Sequence, residues 1–231
     1  MDANSLKFYV GKRLFLLAFR QFGRPVLHGT VLDIGAGTAP YGRELQDCRV
    51  ITLEREGRFC PSVVGSAQVL PFKADTFDGV ICTEVLEHLN DPGTALSEID
   101  RVLKPGGRVY ITTPMTWYLH YEPHDYFRFT PHGLKHLLEK YRFNIVSLVP
   151  LGGLSVVLAM VILEKVFNVC FKALFMVPKA KRVPLLAVVF VPVSWVAYHI
   201  TRVMDHFVKR WVYSVCAVAQ KSSESTAYKS V

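Results

Sequence analysis

A glycine-rich turn, with a carboxylate nineteen residues after its first glycine, is the first feature of this sequence that indicates ligand binding. The turn follows the apolar run at residues 31–34. It contains Gly35 and Gly37, whose lack of a Cβ lets a ligand approach the backbone closely. Glu54 ends a second apolar run, so its carboxylate is expected beside the same crevice, where it accepts hydrogen bonds from both hydroxyls of a ribose. Asp33, two residues before Gly35, suits a ligand with a cationic end.

The same region argues against a dinucleotide ligand. In the GxGxxG pattern of dinucleotide-binding domains, the third glycine allows the following helix to pack closely on the strand. Here that position is Pro40, and Asp33 stands where such domains keep an apolar strand residue. The pattern therefore favours a single nucleoside with a cationic end.

A second cluster, at residues 117–130, has the side chains that proton transfer requires. Its ionisable and ring-bearing members include His120, His124, Asp125, Tyr126 and Arg128. A histidine with a pKa near neutral suits a general base, and His124 is the first candidate, with His120 the second. Asp125 either orients a histidine or contacts the second reactant. Tyr126 and Arg128 are expected to bind that reactant, Arg128 through an anionic group such as phosphate. The alternative is an ordinary lid whose polar side chains satisfy one another.

No metal site is predicted. In HYEPH, residues 120–124, the order is His-x-Glu-x-His rather than HExxH, and Pro123 interrupts any helix through it. The five cysteines are scattered and form no CxxC pair. That spacing speaks against a zinc site and a disulfide framework, and it fits a reducing compartment. Cys82 and Cys216 lie in apolar runs and are expected in the core.

Alternating strands and helices along residues 31–150 would position both clusters. Strands are predicted at 31–35, 49–54, 77–84, 107–114 and 144–150, and helices at 40–47, 84–90, 93–103 and 130–141. Thr130 is expected to cap the last helix with Pro131 at its first position, and KPGG at 104–107 is expected to separate helix from strand. Near-continuous apolar strands between helices predict an α/β fold with a parallel sheet covered on both faces.

Charge separates this central part from its flanks. Residues 1–30 contain five basic residues and one acidic residue, and residues 151–210 contain eight basic and two acidic residues. Residues 31–150 instead contain twelve basic and fifteen acidic residues, and the net charge of the chain is +8. An enzyme of nucleic acids would carry basic residues around its cleft, so no nucleic-acid partner is expected. Basic flanks beside apolar runs indicate an anionic membrane surface instead.

Residues 151–210 contain two long apolar runs, at 151–163 and 183–200, in a chain of 51% hydrophobic residues and mean hydropathy +0.25. An 18-residue helix reaches about 27 Å, barely a bilayer span, and Pro184 and Pro192 disfavour a straight one. Another strand is predicted at 211–221. If the strands on either side belong to one sheet, this insertion must leave and return on the same side of a membrane, which excludes a single span.

Several arrangements stay open for the insertion: a re-entrant hairpin, helices lying in the membrane interface, two spanning helices, a dimerisation arm, or a helical cap over the active site. Residues 5–22 read as a helix that either covers a sheet edge or rests on lipid headgroups, rather than a cleaved signal peptide. The predicted division of the chain is therefore 1–30 for this basic, apolar helix, 31–150 for the nucleoside-binding domain, 151–210 for the insertion, 211–221 for the last strand and 222–231 for a frayed tail.

The ordered motifs VLDIGAG, TLE, GSAQVLPFKADTFDGVICTEVLEHLNDP and EIDRVLKPGGRVYITTP, between residues 31 and 114, resemble those of class I S-adenosylmethionine-dependent methyltransferases. Within that class they are similar to the type 11 branch, which includes quinone-pathway enzymes and many glycan or lipid methyltransferases. The resemblance implies a Rossmann-like, seven-stranded sheet in which the apolar helical insertion lies between the last two strands, and it implies S-adenosylmethionine as cofactor. The run from His124 to Thr130 is also similar to one in relatives that act on glycans or their lipid carriers.

The resemblance also implies roles for individual residues. Asp33, Gly35 and Gly37 would line the methionine end and ribose of the cofactor, Glu54 would hold the ribose diol, Ser66 and Ala67 would flank the adenine, and Thr83 and Glu84 would lie under the methionine part. Many relatives carry aspartate at the position of Ser66, so the adenine contact is expected to be weaker here. His88, in the run TEVLEHL, is expected to be structural.

These features together predict a methyltransferase at the cytoplasmic face of a membrane that methylates, on oxygen, a lipid or lipid-linked acceptor. The alternatives are a soluble small-molecule methyltransferase with an apolar dimerisation arm, and a catalytically silent, membrane-docked protein that binds S-adenosylmethionine. The expected partners are accordingly a membrane surface or a lipid-linked substrate, with a homodimer possible. An RNA methyltransferase is disfavoured by the acidic central domain.

Overall fold

The computed structural model describes residues 9–174, 177, 179–207 and 211–222, apart from the side chains of 179–181 and 206–207. The start of the predicted N-terminal helix, at 5–8, and the predicted tail from 223 to 231 lie outside these residues. The chain divides into two compact units. The sheet unit comprises Ala18–Pro150 and the chain from Ser214, and the helical unit comprises the chain up to Leu17 together with Leu151–Tyr213.

Seven strands form one sheet in the order β3-β2-β1-β4-β5-β7-β6. Their bounds are β1 Thr30–Ile34, β2 Arg49–Glu54, β3 Val63–Val64, β4 Phe77–Thr83, β5 Leu103–Pro114, β6 Phe143–Leu151 and β7 Ser214–Lys221. The pairs β3–β2, β2–β1, β1–β4 and β4–β5 are parallel, whereas β7 is antiparallel to β5. This is the Rossmann-like methyltransferase sheet expected from the motifs, with helices between the last two strands.

The central strands are apolar because both faces of the sheet are covered. Leu32, Val80, Ile81 and Ile111 have no exposed surface, and Tyr110 is equally buried. Such continuous runs are typical of parallel strands with helices on either side. The thiols of Cys82 and Cys216 are free and buried, as expected of core residues.

Five α-helices are present among the described residues: α1 Tyr9–Ala18, α2 Pro92–Val102, α3 Pro131–Lys140, α4 Leu154–Ala173 and α5 Lys179–Phe207. The predicted cap of α3 is confirmed, since the side chain of Thr130 accepts a hydrogen bond from the backbone N–H of Gly133 and Pro131 is the first helical residue. Asp91 caps α2 in the same way, accepting from Gly93 at 3.0 Å. Both caps satisfy amide groups that a helix start leaves unpaired.

The prediction of a helix at 40–47 is wrong. This segment contains only a short 3₁₀ turn at Gly42–Glu44. Ala39 adopts a positive φ of 49°, and Pro40 and Gly42 follow, so the local sequence opposes a continuous helix. No α-helix therefore directs its amino end at the glycine-rich turn.

The segment predicted as a helix at 84–90 is also only a 3₁₀ turn, Leu86–His88. Glu84 has a φ of 53°, which takes the backbone out of the helical region, and α2 begins only after the Asp91 cap. KPGG does not separate helix from strand, because β5 starts at Leu103 and passes through it with a register shift opposite Phe77 and Gly79. The short edge strand β3 was not predicted from the sequence.

In the helical unit, α4 and α5 form an antiparallel hairpin. Near one end, the hydroxyl oxygen of Ser155 lies 3.1 Å from the carbonyl oxygen of Thr201. Toward the other end, the rings of Phe167 and Phe190 meet edge to face, 5.3 Å apart. Although Pro184 and Pro192 were expected to oppose a straight helix, α5 continues through both.

Most of the hairpin surface is apolar and exposed. Leu154–Ala173 and Arg182–Asp205 have mean hydropathies of 2.1 and 1.9, and each is long and apolar enough to cross a membrane. Only 22% of each stretch is buried within the protein, whereas the core helices of soluble proteins are mostly buried. An exposed apolar surface of this kind indicates contact with lipid or with another protein chain.

Asp205, near the end of α5, connects this helix to the start of α4 by hydrogen bonds. Its carboxylate accepts hydrogen bonds from the backbone N–H groups of Gly153, at 2.6 Å, and Ser155, at 3.2 Å, and from the Ser155 hydroxyl. Because these groups start α4, the carboxylate also compensates the positive end of that helix dipole.

Replacing Asp205 with alanine is expected to destabilise the hairpin by about 2 kcal/mol, because the change removes a charged acceptor from the first turn of α4. Asp205→Asn, which keeps an acceptor but no charge, should lose less. Urea unfolding in mild detergent, followed by tryptophan fluorescence, measures this, since Trp195 lies in α5. Lys165→Ala serves as a control on α4, and an alanine variant as stable as the wild type would contradict the assigned role.

Candidate functional site

The glycine-rich turn lies where β1 ends and takes a conformation that glycine favours. Gly35 and Gly37 have φ angles of 66° and 51°, and the N–H of Gly35 donates to the carbonyl of Leu53 at 2.9 Å. A Cβ on Gly35 would lie 2.3 Å from a methyl group of Val85, whereas a Cβ on Gly37 would meet nothing within 4 Å. Gly35 is therefore required for packing, and Gly37 leaves open space at the turn.

Glu54 is held beside this turn by backbone groups. One carboxylate oxygen accepts from the N–H of Gly37 at 3.0 Å, and the other accepts from the N–H of Arg55 at 2.8 Å. A carboxylate oxygen can accept more than one hydrogen bond, so each retains capacity for a hydroxyl. Glu54 is thus oriented to bind a diol next to Gly37.

Asp33 is buried without a hydrogen-bond partner. Its residue is 1% exposed, neither carboxylate oxygen is paired, and it does not line the cavity described below. Burial, with a smaller contribution from the charge of Glu54, raises the pKa of Asp33 to about 7. A cation that reached this carboxyl would stabilise its ionised form.

One cavity of about 610 Å³ brings the two sequence clusters together. Its lining includes eight of the predicted site residues: Gly35, Gly37, Glu54, Ser66, Ala67, Glu84, His124 and Tyr126. Asp33, Thr83, His120, Asp125 and Arg128 are not among the lining residues. The volume lies within the range typical of small-molecule sites.

Residues 66–68 form one wall of the cavity and are held in place by hydrogen bonds. The hydroxyl of Ser66 accepts from the N–H of Gln68 at 3.2 Å. The side-chain amide of Gln68 donates to the side chain of Asn90 and to the carbonyl of Asp91, both at 3.1 Å. Ala67 is therefore presented by a rigid turn, as a flat base would require.

Two carboxylates, those of Glu84 and Glu87, follow directly after β4. Glu84 receives a hydrogen bond from the Ser214 hydroxyl at 3.3 Å, and loss of contact with bulk water raises its pKa to about 7. Glu87 is completely buried with both carboxylate oxygens unpaired. Burial, together with the charge of Glu84, raises the pKa of Glu87 well above its usual value. Thr83, the last residue of β4, is partly buried next to Glu84.

Asp125 and Arg128 hold together residues 117–130, here called the acceptor loop. Two nitrogens of Arg128 donate to the two oxygens of Asp125, at 2.6 and 2.7 Å, and Arg128 also donates to the carbonyl of Tyr118 at 3.0 Å. This guanidinium holds the pKa of Asp125 well below its usual range. Arg128 is thus engaged in the loop itself, so its predicted contact with an anionic acceptor would compete with this pair.

The three histidines near the loop differ in position. His124 lines the cavity, and its Nδ1 lies 3.1 Å from the Tyr126 hydroxyl. His120 lies outside the lining, with its Nδ1 3.4 Å from Asp125 and its ring 4.8 Å from that of His88. His88, expected to be structural, also lines the cavity and contacts the carbonyl of His124 at 2.6 Å. Burial lowers the pKa of His88, which favours the neutral ring.

Sequence reasoning missed one wall of the cavity. Arg55, Arg58 and Phe59, from the segment after β2, line it together with Tyr121 of the acceptor loop. The Tyr121 hydroxyl donates to Glu56, which also pairs with Arg58 at 2.6 Å. The only sequence signal was the pair of arginines and the phenylalanine directly after Glu54.

The only metal-compatible group among the described residues is Glu87, His88 and His120, whose potential ligand atoms lie within 4.8 Å of one another. It excludes Glu122 and His124 of the HYEPH run, for which zinc was not expected. The Nε2 of His88 lies 3.7 Å from a Glu87 oxygen, which is beyond hydrogen-bonding distance. The prediction that the chain binds no metal is left untested by this geometry.

The sequence also matches a known family. Residues 14–111 match the model of the type 11 methyltransferases, which describes a methyltransferase domain, and they include the turn, Glu54 and the carboxylates after β4. Residues 14–111, less than half of this chain, are therefore similar to a methyltransferase domain of the type 11 branch.

Curated relatives align with parts of this methyltransferase domain. A demethylmenaquinone methyltransferase of Streptomyces avermitilis is 42% identical over 93 residues, an alignment that covers 35% of this chain and 40% of the relative. The mitochondrial ubiquinone biosynthesis O-methyltransferase of Homo sapiens is 34% identical over 113 residues, which cover 40% of this chain and 31% of the relative. This chain therefore spans less than half of the length of either protein.

Solved structures share the methyltransferase fold over a greater length. A SAM-dependent methyltransferase from Archaeoglobus fulgidus superposes with a TM-score of 0.58 and 17% identity, covering 90% of this chain and 94% of the other. At this identity the likeness extends to the fold and not to the acceptor.

The replacement Asp33→Asn is expected to stabilise the methyltransferase domain in a pH-dependent way. Because burial raises the pKa of Asp33 from 3.8 to about 7, ionising this carboxyl in the folded protein costs free energy. The wild type should therefore lose stability as the pH rises from about 4 to about 7, and the full loss should persist above that. The asparagine variant lacks this loss, so it should unfold at a higher temperature at pH of about 8 and at a similar temperature near pH 4.

Thermal unfolding across this pH range measures the difference. Asp47→Asn, at an exposed aspartate, is the matched control and should follow the wild type. Glu84 and Glu87 titrate alike in all three proteins, so their contributions cancel. A gain that is the same at every pH would contradict the assignment.

Proposed function

We propose that this chain is an S-adenosylmethionine-dependent methyltransferase that methylates, on oxygen, a lipid or lipid-linked acceptor in a membrane. The observation that carries the proposal is the single cavity in which the glycine-rich turn, Glu54 and His124 meet. The family match and the demethylmenaquinone and ubiquinone methyltransferases among the relatives support methyl transfer, and they favour quinone-like lipids among the acceptors.

The residues present fit the cofactor. The open space at Gly37 admits a ligand against the backbone, and Glu54 is oriented to accept the two ribose hydroxyls. The rigid turn at Ser66 and Ala67 would flank the adenine. Asp33 and Glu84 supply negative charge near a cationic methionine end, and their raised pKa values would fall when that cation binds. When bound, S-adenosylmethionine supplies a methyl group on a positively charged sulfur.

The protein's part in the transfer is alignment and removal of a proton. Displacement at the methyl carbon requires the acceptor oxygen in line with the sulfur, which the walls of this cavity can enforce. His124 lines that cavity from the acceptor-loop side and is the proposed base for a hydroxyl acceptor. His120, turned toward Asp125, would act through the loop, and His88 is the second cavity-lining histidine.

The hairpin of α4 and α5 supports a membrane-borne acceptor. Its exposed apolar side chains suit lipid, and the basic residues of 151–210 suit anionic headgroups at the cytoplasmic face. A soluble enzyme with a dimerisation arm is the second candidate, because a second copy would cover the same apolar surface.

His124→Ala is expected to reduce turnover roughly a hundredfold, because general-base catalysis contributes about that much, while S-adenosylmethionine binding stays intact. Labelled S-adenosylmethionine incubated with membrane extracts provides the turnover assay, and calorimetry provides the affinity. His132→Ala, at an exposed histidine of α3, is the matched control. A much larger loss of turnover in His88→Ala than in His124→Ala would assign the role of general base to His88. Cofactor binding without any turnover in the wild type would indicate a catalytically silent protein that binds S-adenosylmethionine.

Flotation with phosphatidylcholine vesicles tests the membrane claim. The wild type is expected to float with the vesicles, and Val188→Glu should float less, because it places a charge on the exposed face of α5. Val64→Glu makes the same change at an exposed valine in β3 and should float like the wild type. A wild type that stays in the soluble fraction as a dimer, and that Val188→Glu converts to a monomer, would instead support the dimerisation arm.

A further inference from the structure

Two arginines converge on one buried tyrosine in the helical unit. The guanidinium carbon of Arg13, in α1, lies 5.5 Å from the centre of the Tyr198 ring, and that of Arg202, in α5, lies 6.0 Å from it. Tyr198 is 3% exposed, so both cations lie beside a ring that is itself buried in the protein. Arg13 also donates to the Tyr9 hydroxyl at 3.3 Å.

Neither arginine has a carboxylate partner among the described residues. Asp205 is one turn from Arg202, but its oxygens accept from Gly153 and Ser155 at the start of α4. The Nε of Arg13 is buried and has no hydrogen-bond partner in the part of the chain that the structure describes. Because both guanidinium carbons lie within 6.0 Å of the same ring centre, they are at most about 12 Å apart. Two like charges at such a separation repel each other, so an anion bound near both would be stabilised.

Tyr198 and Arg202 lie near one end of the apolar stretch of α5. Arg202 is three residues before the end of the apolar stretch Arg182–Asp205, about 4.5 Å along the axis from its last residue. The aromatic side chains of Trp195, Tyr198 and His199 lie within the two turns before it, in mutual ring contact. Aromatic rings followed by a cation are typical of helices at a membrane–water interface.

The surface around Arg202 is apolar on either side along α5. Ile200, Val203 and Met204 are each more than half exposed. An anion bound there would therefore carry an apolar body beside it, which a lipid has and a free soluble ion lacks.

We propose that Arg13 and Arg202, beside the ring of Tyr198, bind the phosphate group of an anionic membrane lipid. A guanidinium offers paired donors that match phosphate oxygens, and it stacks on an aromatic ring at the same time. The inference rests on the proposed function only in that the hairpin contacts lipid, and it requires no particular acceptor. The lipid can be the carrier of the substrate or a neighbouring phospholipid, because both present the same phosphate.

Binding of the full chain to phosphatidylcholine vesicles, with and without a minor fraction of phosphatidic acid, tests the proposal. The wild type should bind more tightly to the vesicles that contain phosphatidic acid. The double variant Arg13→Gln, Arg202→Gln should lose most of that gain and keep its binding to phosphatidylcholine alone. The control, Lys165→Gln with Lys172→Gln, removes the same charge from α4. We expect the arginine pair to weaken binding to phosphatidic acid about tenfold more than the lysine pair.

Equal weakening by the two double variants would overturn the proposal, because it would indicate general attraction between charges. The proposal would also be overturned if inorganic phosphate, but not sulfate, displaced the protein from phosphatidic acid vesicles at constant ionic strength. That result would indicate a site for a soluble phosphate compound. Arg202→Gln alone should show part of the effect, and its exposed position makes misfolding an inadequate explanation.

Affinity for S-adenosylmethionine, measured in every variant, separates this inference from the proposed function. Loss of cofactor binding or turnover in the wild type would contradict the methyltransferase and leave the lipid result standing. Unchanged preference for phosphatidic acid in the arginine variant would contradict only the phosphate site.

Discussion

The hydrogen bond from Gly37 to Glu54 is the contact on which the cofactor half of the site depends. It exists because β1 and β2 pair in parallel with Ile34 opposite Leu53, so both strands end at the same level. The carbonyl of Leu53 then receives the N–H of Gly35, and the next residue, Glu54, is within reach of the N–H of Gly37. A shift of one residue in this register would turn Glu54 to the opposite face of the sheet and separate the two ends of the ligand site.

Residues that immediately follow strands could be predicted from the sequence, whereas contacts between distant loops could not. Gly35, Glu54 and Glu84 directly follow or end strands, so the order of strands in the sheet fixes their neighbours. The hydrogen bond between Tyr121 and Glu56 joins residues that are 65 positions apart in the chain, and no sequence pattern predicts it. The helix expected at 40–47 does not form for a different reason, because Ala39 has a positive φ and Pro40 and Gly42 follow it.

In the acceptor loop, too, some features could be predicted from the sequence and others could not. Its position over the cavity followed from its place after β5, and His124 and Tyr126 line the cavity as a result. The pairing of Arg128 with Asp125 is local, yet sequence alone could not decide between this pair and an anionic ligand as the partner of Arg128. Around it, Asp33 and Glu87 are buried without partners, and such unpaired carboxyls oppose folding. Groups of this kind are retained most often where they serve a ligand.

The two ends of the insertion are tied together. The N–H of Tyr213 donates to the carbonyl of Gly152 at 3.2 Å, so the chain leaves and re-enters through neighbouring residues although sixty lie between them. The entropy of closing a loop grows only with the logarithm of its length, so a long excursion from such a point adds little beyond a short one. A short turn between Gly152 and Tyr213 would therefore close the same gap in the chain, so residues 153–212 can vary in length without changing the distance that the backbone must bridge between β6 and β7.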